Sequence, residues 1–261
     1  MNKRGQIAIF VIVAIVIVGA IIVLFAYPKI SSVGTSSETS PEQYLRECIQ
    51  QDVKNSIKLL AEQGGEQNPT GYINYLDTKI KYLCYISGNF RPCLIQQPML
   101  ITNFEKELST MLTSKLDSCA KRLITEYEAR GYSVSSSEIS SEVSLGSGKV
   151  SLKFNAPMTI TREETSRKFD NFEVNIDSKI YDLLSIATSI MDYESTYGDS
   201  EITNYFVYYP DLKIEKIKVI DSEKTTNGAG VKIYKLTNIV TNEMFQFATR
   251  SLVWPGGYGF E

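Results

Sequence analysis

The sequence predicts an α+β chain: an N-terminal transmembrane helix followed by an ectodomain of about three helices packed on antiparallel β-meanders. Three observations carry this expectation. Residues 7–26 form an unbroken apolar stretch without a charge, and about 20 helical residues at ~1.5 Å rise span about 30 Å, the thickness of a bilayer core. Three later segments repeat apolar residues at three- and four-residue spacing, the signature of helices with one buried face. Between them the pattern switches to period two around Gly- and Asn-containing turns. The order helix–strand–helix, meander, helix, meander separates helices from strands instead of alternating them.

The head, residues 1–5, contains Lys3 and Arg4 and no acid. Positive charge stays cytoplasmic, so whatever follows the anchor at residues 6–28 is exported. A cleaved secretory signal is the competing reading. Its apolar core runs about 7–15 residues and ends in small side chains, whereas this stretch is longer and ends in Leu24-Phe25-Ala26-Tyr27. That favours a retained anchor, with the lipid bilayer as partner of residues 7–26. Residues 29–40 are Ser/Thr-rich and read as a stalk.

The first ectodomain helix starts at Ser40 as N-cap, with Pro41 at the first helical position and Gln43 completing a capping box. Leu45, Cys48, Ile49, Val53, Ile57 and Leu60 form its stripe, and Gly64-Gly65 ends it. Residues 71–94 are mixed, with a β-like run at Ile80, Tyr82, Cys84 and Ile86 and a turn at Gly88-Asn89. A second helix is expected over about 99–130, stopped by Gly131. Residues 132–177 read as one antiparallel meander turning at Gly146-Ser147-Gly148, where Pro157 marks an edge or a bulge. Residues 178–197 return to helix and stop at Gly198. Tyr205-Phe206-Val207-Tyr208-Tyr209-Pro210 is an aromatic run. The strands that follow turn at Thr226-Asn227-Gly228 and end near Leu252, before a Gly-rich aromatic tail. This places a disulfide-stapled helical subdomain with a short β element at 41–131, and an α+β subdomain with two meanders at 132–261.

Composition narrows the chemistry. The chain has 27 basic and 30 acidic residues, a net charge of −3, and no histidine. Two of the positive charges lie in the head, which leaves five excess negatives on the exported part. That surface does not suit nucleic acid, whose phosphates need clustered Lys and Arg. Without histidine there is no Ser-His-Asp triad, Cys-His dyad or His-bound metal. An enzyme built from this chain would run on carboxylates, Lys, Tyr or Ser-Lys pairs. No phosphate-cradling Gly loop or hydrolase elbow is present, no cofactor is expected, and the expectation is a non-enzymatic protein.

All four cysteines fall in the exported part, an even number that reads as two disulfides in an oxidising compartment. Cys84 and Cys93 flank Gly88-Asn89 and Pro92, where the chain can turn back. Cys48 and Cys119 each lie in a helical stripe, so a bridge between them would staple two packed helices. Such a loop of about 70 residues is worth about 4 kcal/mol in the chain-entropy model. Zinc would need a close Cys pair or a His, and no metal ligand set is expected.

Other clusters have bland explanations beside functional ones. Glu163-Glu164 beside Arg162, Arg167 and Lys168 fits a solvated turn. Asp192, Glu194, Asp199 and Glu201 could hold Ca²⁺ through oxygens but lack the ligand order of an EF-hand. Tyr205, Phe206, Tyr208 and Tyr209 could make a sugar- or peptide-binding platform, although alternation in a sheet would send half of them to the core. Trp254, the single Trp, and Tyr258 are candidate partner contacts in the tail.

Lys3-Arg4-Gly5-Gln6-Ile7 followed by the apolar helix resembles the class III signal of archaeal pilins and archaellins. The resemblance implies processing between Gly5 and Gln6, with Gln6 leading the mature helix. Ala8 and Phe10 stand where adhesion pilins often carry Ser and Glu, and that Glu pairs with a neighbour's amine in related filaments. The exported part is similar to membrane-anchored, cysteine-containing surface proteins of small-genome archaea, on the anchor, the Cys-bearing helix ending at Gln63-Gly64-Gly65, and β segments such as Phe245-Gln246-Phe247-Ala248. These resemblances imply a single-pass surface protein with a cytoplasmic N-terminus; the expectation for its role is non-enzymatic adhesion, envelope organisation or cell contact, with a protein or envelope-polymer partner. A filament subunit processed after Gly5 and an anchored envelope enzyme using carboxylates are the alternatives.

Overall fold

A computed structural model describes residues 17–18, 40–88, 90–219 and 230–251. The chain divides into two units, Met1–Ser40 and Pro41–Glu261. In the first, Ile17 and Val18 are helical and exposed. The rest of the expected span, Gly5, Gln6 and the stalk up to residue 39 lie outside the described residues. Among the described residues no helix is long and apolar enough to cross a membrane.

The second unit is a mixed α+β fold with two sheets. Helix α1, Pro41–Glu62, buries Leu45, Ile49, Val53, Ile57 and Leu60 along one face. Gly64 and Gly65 then take positive φ, and Gly65 donates to the Leu60 carbonyl at 2.8 Å. At Gly64 a side chain is barred twice: φ is +77°, and a Cβ would sit 2.9 Å from the Cβ of Lys81. The absence of a side chain therefore lets the helix end press against the strand that carries Lys81.

Strands β1 (Tyr72–Tyr75) and β2 (Thr78–Tyr85) form a hairpin closed by Leu76 and Asp77, both at positive φ. Short β3, Leu94–Ile95, pairs with the far end of β2. Helix α2, Leu100–Ala129, buries Phe104, Leu108, Leu112, Leu116, Cys119 and Leu123, and Gly131 follows it at φ +84°. Cys48 is bonded to Cys119, with Cα atoms 6.2 Å apart, and Cys84 to Cys93 at 5.4 Å. No cysteine is left free. The first bridge ties α1 to α2, and the second holds the turn between β2 and β3.

The four-stranded sheet is built around β6. Strands β4 (Ser133–Ser136) and β5 (Ser140–Gly146) both pair with one edge of β6 (Lys149–Arg162), and β7 (Thr165–Asp177) pairs with the other. The register with β7 shifts between Asn155 and Met158, which lets Pro157 sit in a central strand without a missing ladder bond. Glu163, at φ +55°, and Glu164 form the exposed tip of the β6–β7 hairpin.

After α3 (Ile180–Tyr197) and a short α4 (Thr203–Tyr208) come β8 (Leu212–Lys218), β9 (Val231–Asn238) and β10 (Met244–Arg250). The six-stranded sheet runs β1-β2-β10-β9-β8, with β3 also on β2. Two expectations change here. Not every pairing is antiparallel: β10 lies parallel to β2, with Ala248 opposite Tyr82. The expected boundary at 131/132 is also no break in the core, because strands from both sides of it share this sheet. Strand β10 is buried along most of its length, so neither of its edges could be left to solvent, and β2 supplies the partner that the local sequence does not reveal. The aromatic run differs as well, forming α4 instead of alternating in a strand. The expected turn at Thr226-Asn227-Gly228 and Leu252 lie outside the described residues.

Helix α1 packs on β7 and β10, and α3 on β5, β9 and β10, so the helices touch both sheets and one apolar core runs through the unit. A smaller cluster of Ile73, Ile80, Val231, Ile233 and Ala248 forms a second buried patch on strands of the six-stranded sheet.

Candidate functional site

Two groupings of polar and aromatic side chains stand out, and they differ in access. The first is a buried ion cluster. Glu194 on α3 is fully buried, and its Oε2 lies 2.6 Å from Nζ of Lys232 on β9. Lys232 also donates to the Gly198 carbonyl at 2.7 Å and to Asp199 Oδ1 at 3.1 Å, which uses all three ammonium protons. Glu194 Oε1 accepts from the Ser200 amide at 3.0 Å and from the Tyr234 hydroxyl, and Oε2 accepts from Ser251 Oγ at 2.8 Å. Lys216 reaches Asp199 at 2.5 Å on the rim.

Burial pushes Asp199 upward, but the hydrogen bonds and charges of Lys216 and Lys232 outweigh it and hold the carboxyl below its ordinary value. Burial and the Glu194 charge push the Tyr234 phenol far above its ordinary value. Lys232 and Ser251 lie 3.3 Å apart, the separation of a Ser-Lys pair. Even so, the Ser251 hydroxyl is directed to acceptors, and the ammonium is neutralised by Glu194. Glu194, Lys232 and Ser251 are buried and spent on one another, with Asp199 on the exposed rim, so the cluster ties α3 to β9 and β10.

This cluster also shows where two of the four acids that the sequence groups near residue 194 lie. Glu194 and Asp199 do converge, but on lysines. Glu201 caps α4 instead, accepting from the Thr203 amide and hydroxyl at 2.9 and 2.5 Å. These bonds lower its carboxyl below the ordinary value. Asp192 is exposed. Among the described residues no group of three or more His, Cys, Asp and Glu could hold a metal.

The second grouping is open to solvent. A cleft of about 530 Å³ lies between the start of α3, α4 and the entry to β8. Tyr181, Tyr205, Tyr208 and Tyr209 line it, with the carboxylates of Asp182 and Asp211. Tyr208 is 78% exposed and Tyr209 49%, and α4 buries none of its residues. Tyr205 is the anchored member. Its hydroxyl is 2.7 Å from Ser189 Oγ on α3, and burial raises its phenol above the ordinary value despite that bond. Its charge neighbours include Tyr193, Tyr209 and Asp192, so the aromatic surface continues beyond the cleft. There Tyr193 and Tyr197 lie with ring centroids 5.6 Å apart.

The fold holds this surface open by simple means. Gly198 stops α3 in the left-handed conformation and donates to the Glu194 carbonyl. Glu201 starts α4, and the Tyr209 amide closes it on the Tyr205 carbonyl at 2.9 Å. One turn of helix then presents Tyr205 inward and Phe206, Val207 and Tyr208 outward, exposing large apolar side chains that water disfavours.

Asp182 accepts from Ser147 Oγ at 3.0 Å and faces Lys179 Nζ at 3.5 Å. No partner for the Asp211 carboxylate is found among the described residues, leaving it available to a ligand. The sequence pointed to Tyr205, Phe206, Tyr208 and Tyr209 but missed Tyr181, Asp182 and Asp211, which only the packing of α3 beside α4 brings to them. Trp254 and Tyr258 lie outside the described residues. Compared with known proteins, the chain matches no family model, no curated protein and no solved structure.

Proposed function

We propose that this is a single-pass, membrane-anchored surface protein whose extracytoplasmic domain makes non-covalent contacts with an envelope polymer or another cell. The observation that carries the reading is the solvent-open tyrosine cleft, set on a domain whose four cysteines are all paired. Exposed rings around a concave site are a contact surface, since burying them would otherwise be favourable. Two disulfides suit an oxidising compartment. The apolar segment at 7–26 and the basic head at Lys3 and Arg4 support the mounting. A non-enzymatic role fits the buried cluster, whose carboxylate, ammonium and hydroxyl are all spent on one another.

The test is made on intact cells. An impermeant protease should remove the domain, and thiol alkylation should label no cysteine until the protein is reduced. A domain that resists protease on intact cells yet is cut in lysed ones, or cysteines alkylated without reduction, would overturn the location. N-terminal sequencing of the membrane-purified chain should begin at Met1. A start at Gln6 would move the reading to a pilin-like subunit.

A further inference from the structure

We infer that the tyrosine cleft binds a sugar chain, and specifically a neutral or amino-bearing glycan instead of an acidic one. This deepens the proposal of an outward contact surface and rests on it. The chemistry of the lining selects the ligand. A pyranose ring offers a face of C–H bonds and a rim of hydroxyls. The first packs on aromatic faces, and the second donates to carboxylate and amide oxygens. The cleft supplies both, since four tyrosines line it together with Asp182 and Asp211.

Its volume of about 530 Å³ lies within the range of small-ligand sites. It is also an open groove between α3 and the α4–β8 connection, so a chain can continue past it. Tyr193 and Tyr197, paired at a tilt on the same helix, extend the aromatic track for further units.

Charge decides among glycans. The lining carries two carboxylates and one ammonium, Lys179, and that ammonium already faces Asp182. Asp211 is therefore the uncompensated charge. It repels uronate or sialate groups and attracts the ammonium of an amino sugar, which the Tyr208 and Tyr209 faces also favour. Among the described residues, strand β8 ends its sheet with one edge unpaired, so an extended peptide is the alternative occupant that the test separates from a glycan.

The experiment uses the full chain in nanodiscs and three probes of equal length: the N-acetylglucosamine tetramer, the glucosamine tetramer and the galacturonate tetramer. A proline-rich peptide serves as the non-sugar comparison. Calorimetry should show binding of the first two and not of the third. Tyr208→Ala with Tyr209→Ala should weaken both by about tenfold or more, consistent with loss of two stacking faces. These side chains are exposed, so the variant should keep the parent unfolding midpoint. Asp211→Asn, which preserves shape, should weaken the glucosamine tetramer several-fold more than the acetylated one.

Binding of neither tetramer, preference for galacturonate, binding of the peptide alone, or affinity unchanged in the double tyrosine variant would each overturn the inference. Because the nanodisc assay does not depend on cellular orientation, failure here leaves the surface location standing. Failure of the intact-cell test leaves the glycan result standing.

Discussion

Lys232 on β9 and Glu194 on α3 face each other at 2.6 Å with side chains 5% and 0% exposed. A pair so deeply buried is held by its hydrogen bonds, and removing either member strands the other in low dielectric. Lys232→Met should therefore destabilise the domain by roughly 3–5 kcal/mol. Replacing both residues by apolar ones should be milder than the sum of the single changes. Urea denaturation of the four-member cycle measures this, and additive losses would show that the two do not act as a pair.

The two disulfides enclose very different loops, with sequence separations of 71 and 9. In the chain-entropy model the long loop is worth about 4 kcal/mol and the short one about 3. Cys48→Ser with Cys119→Ser should thus lower stability more than Cys84→Ser with Cys93→Ser. Guanidinium titrations of the two double variants decide the order, and a larger loss from the short loop would contradict it.

The β1–β2 hairpin turns on Leu76 and Asp77, with φ of +47° and +64°. Such a turn favours Asn-Gly, because a left-handed backbone presses an ordinary Cβ against its own carbonyl. Leu76 is also 81% exposed, so it contributes little packing there. Leu76→Asn with Asp77→Gly should raise stability by about 1 kcal/mol. An unchanged or lowered denaturation midpoint would count against this account of the turn.

The shifted groups set the pH response at both ends. Asp199 is lowered from 3.8. Its contribution is therefore complete above that value and disappears as pH falls through the depressed pKa. Tyr205 and Tyr234 are raised from 10.0, so their contribution is complete below pH 10 and is lost as pH rises beyond it. Thermal unfolding should show a plateau at neutral pH with losses below about 3.8 and above about 10. Absorbance titration of the tyrosinates should reveal a class that ionises only with unfolding, reduced in Tyr234→Phe. Ionisation of all tyrosines in a single early step would refute the burial assigned to them.

What the sequence reveals depends on how local the determining forces are. The stripes of α1, α2 and α3, their Gly stops, and the cysteines placed in facing stripes or around a turn are all short-range patterns, and each is legible. The Leu76-Asp77 hairpin is not, since Leu76 does not advertise a left-handed turn and Asp77 alone signals it weakly. The β2–β10 pair joins Tyr82 to Ala248, and nothing in the period of either strand names the other. The same holds at the site. The aromatic run at 205–209 is visible, but its exposure follows from becoming one turn of helix, and Asp211 gains its role from where α3 happens to lie. The carboxylates at 194 and 199 were noticeable as a cluster, while their partners, Lys216 and Lys232, come from strands later in the chain.

Strand β10 follows β1, β2, β8 and β9 in the chain, yet it lies between β2 and β9. The middle of the sheet is thus filled after its flanks. A nascent chain halted before Met244 holds β1–β2 on one side and β8–β9 on the other, each with an apolar edge waiting for the same missing strand. Premature stops would accordingly leave two unsatisfied half-sheets instead of a slightly shortened domain. Incomplete products should be sticky and readily degraded, and a soluble, protease-resistant domain reports that translation has passed residue 250.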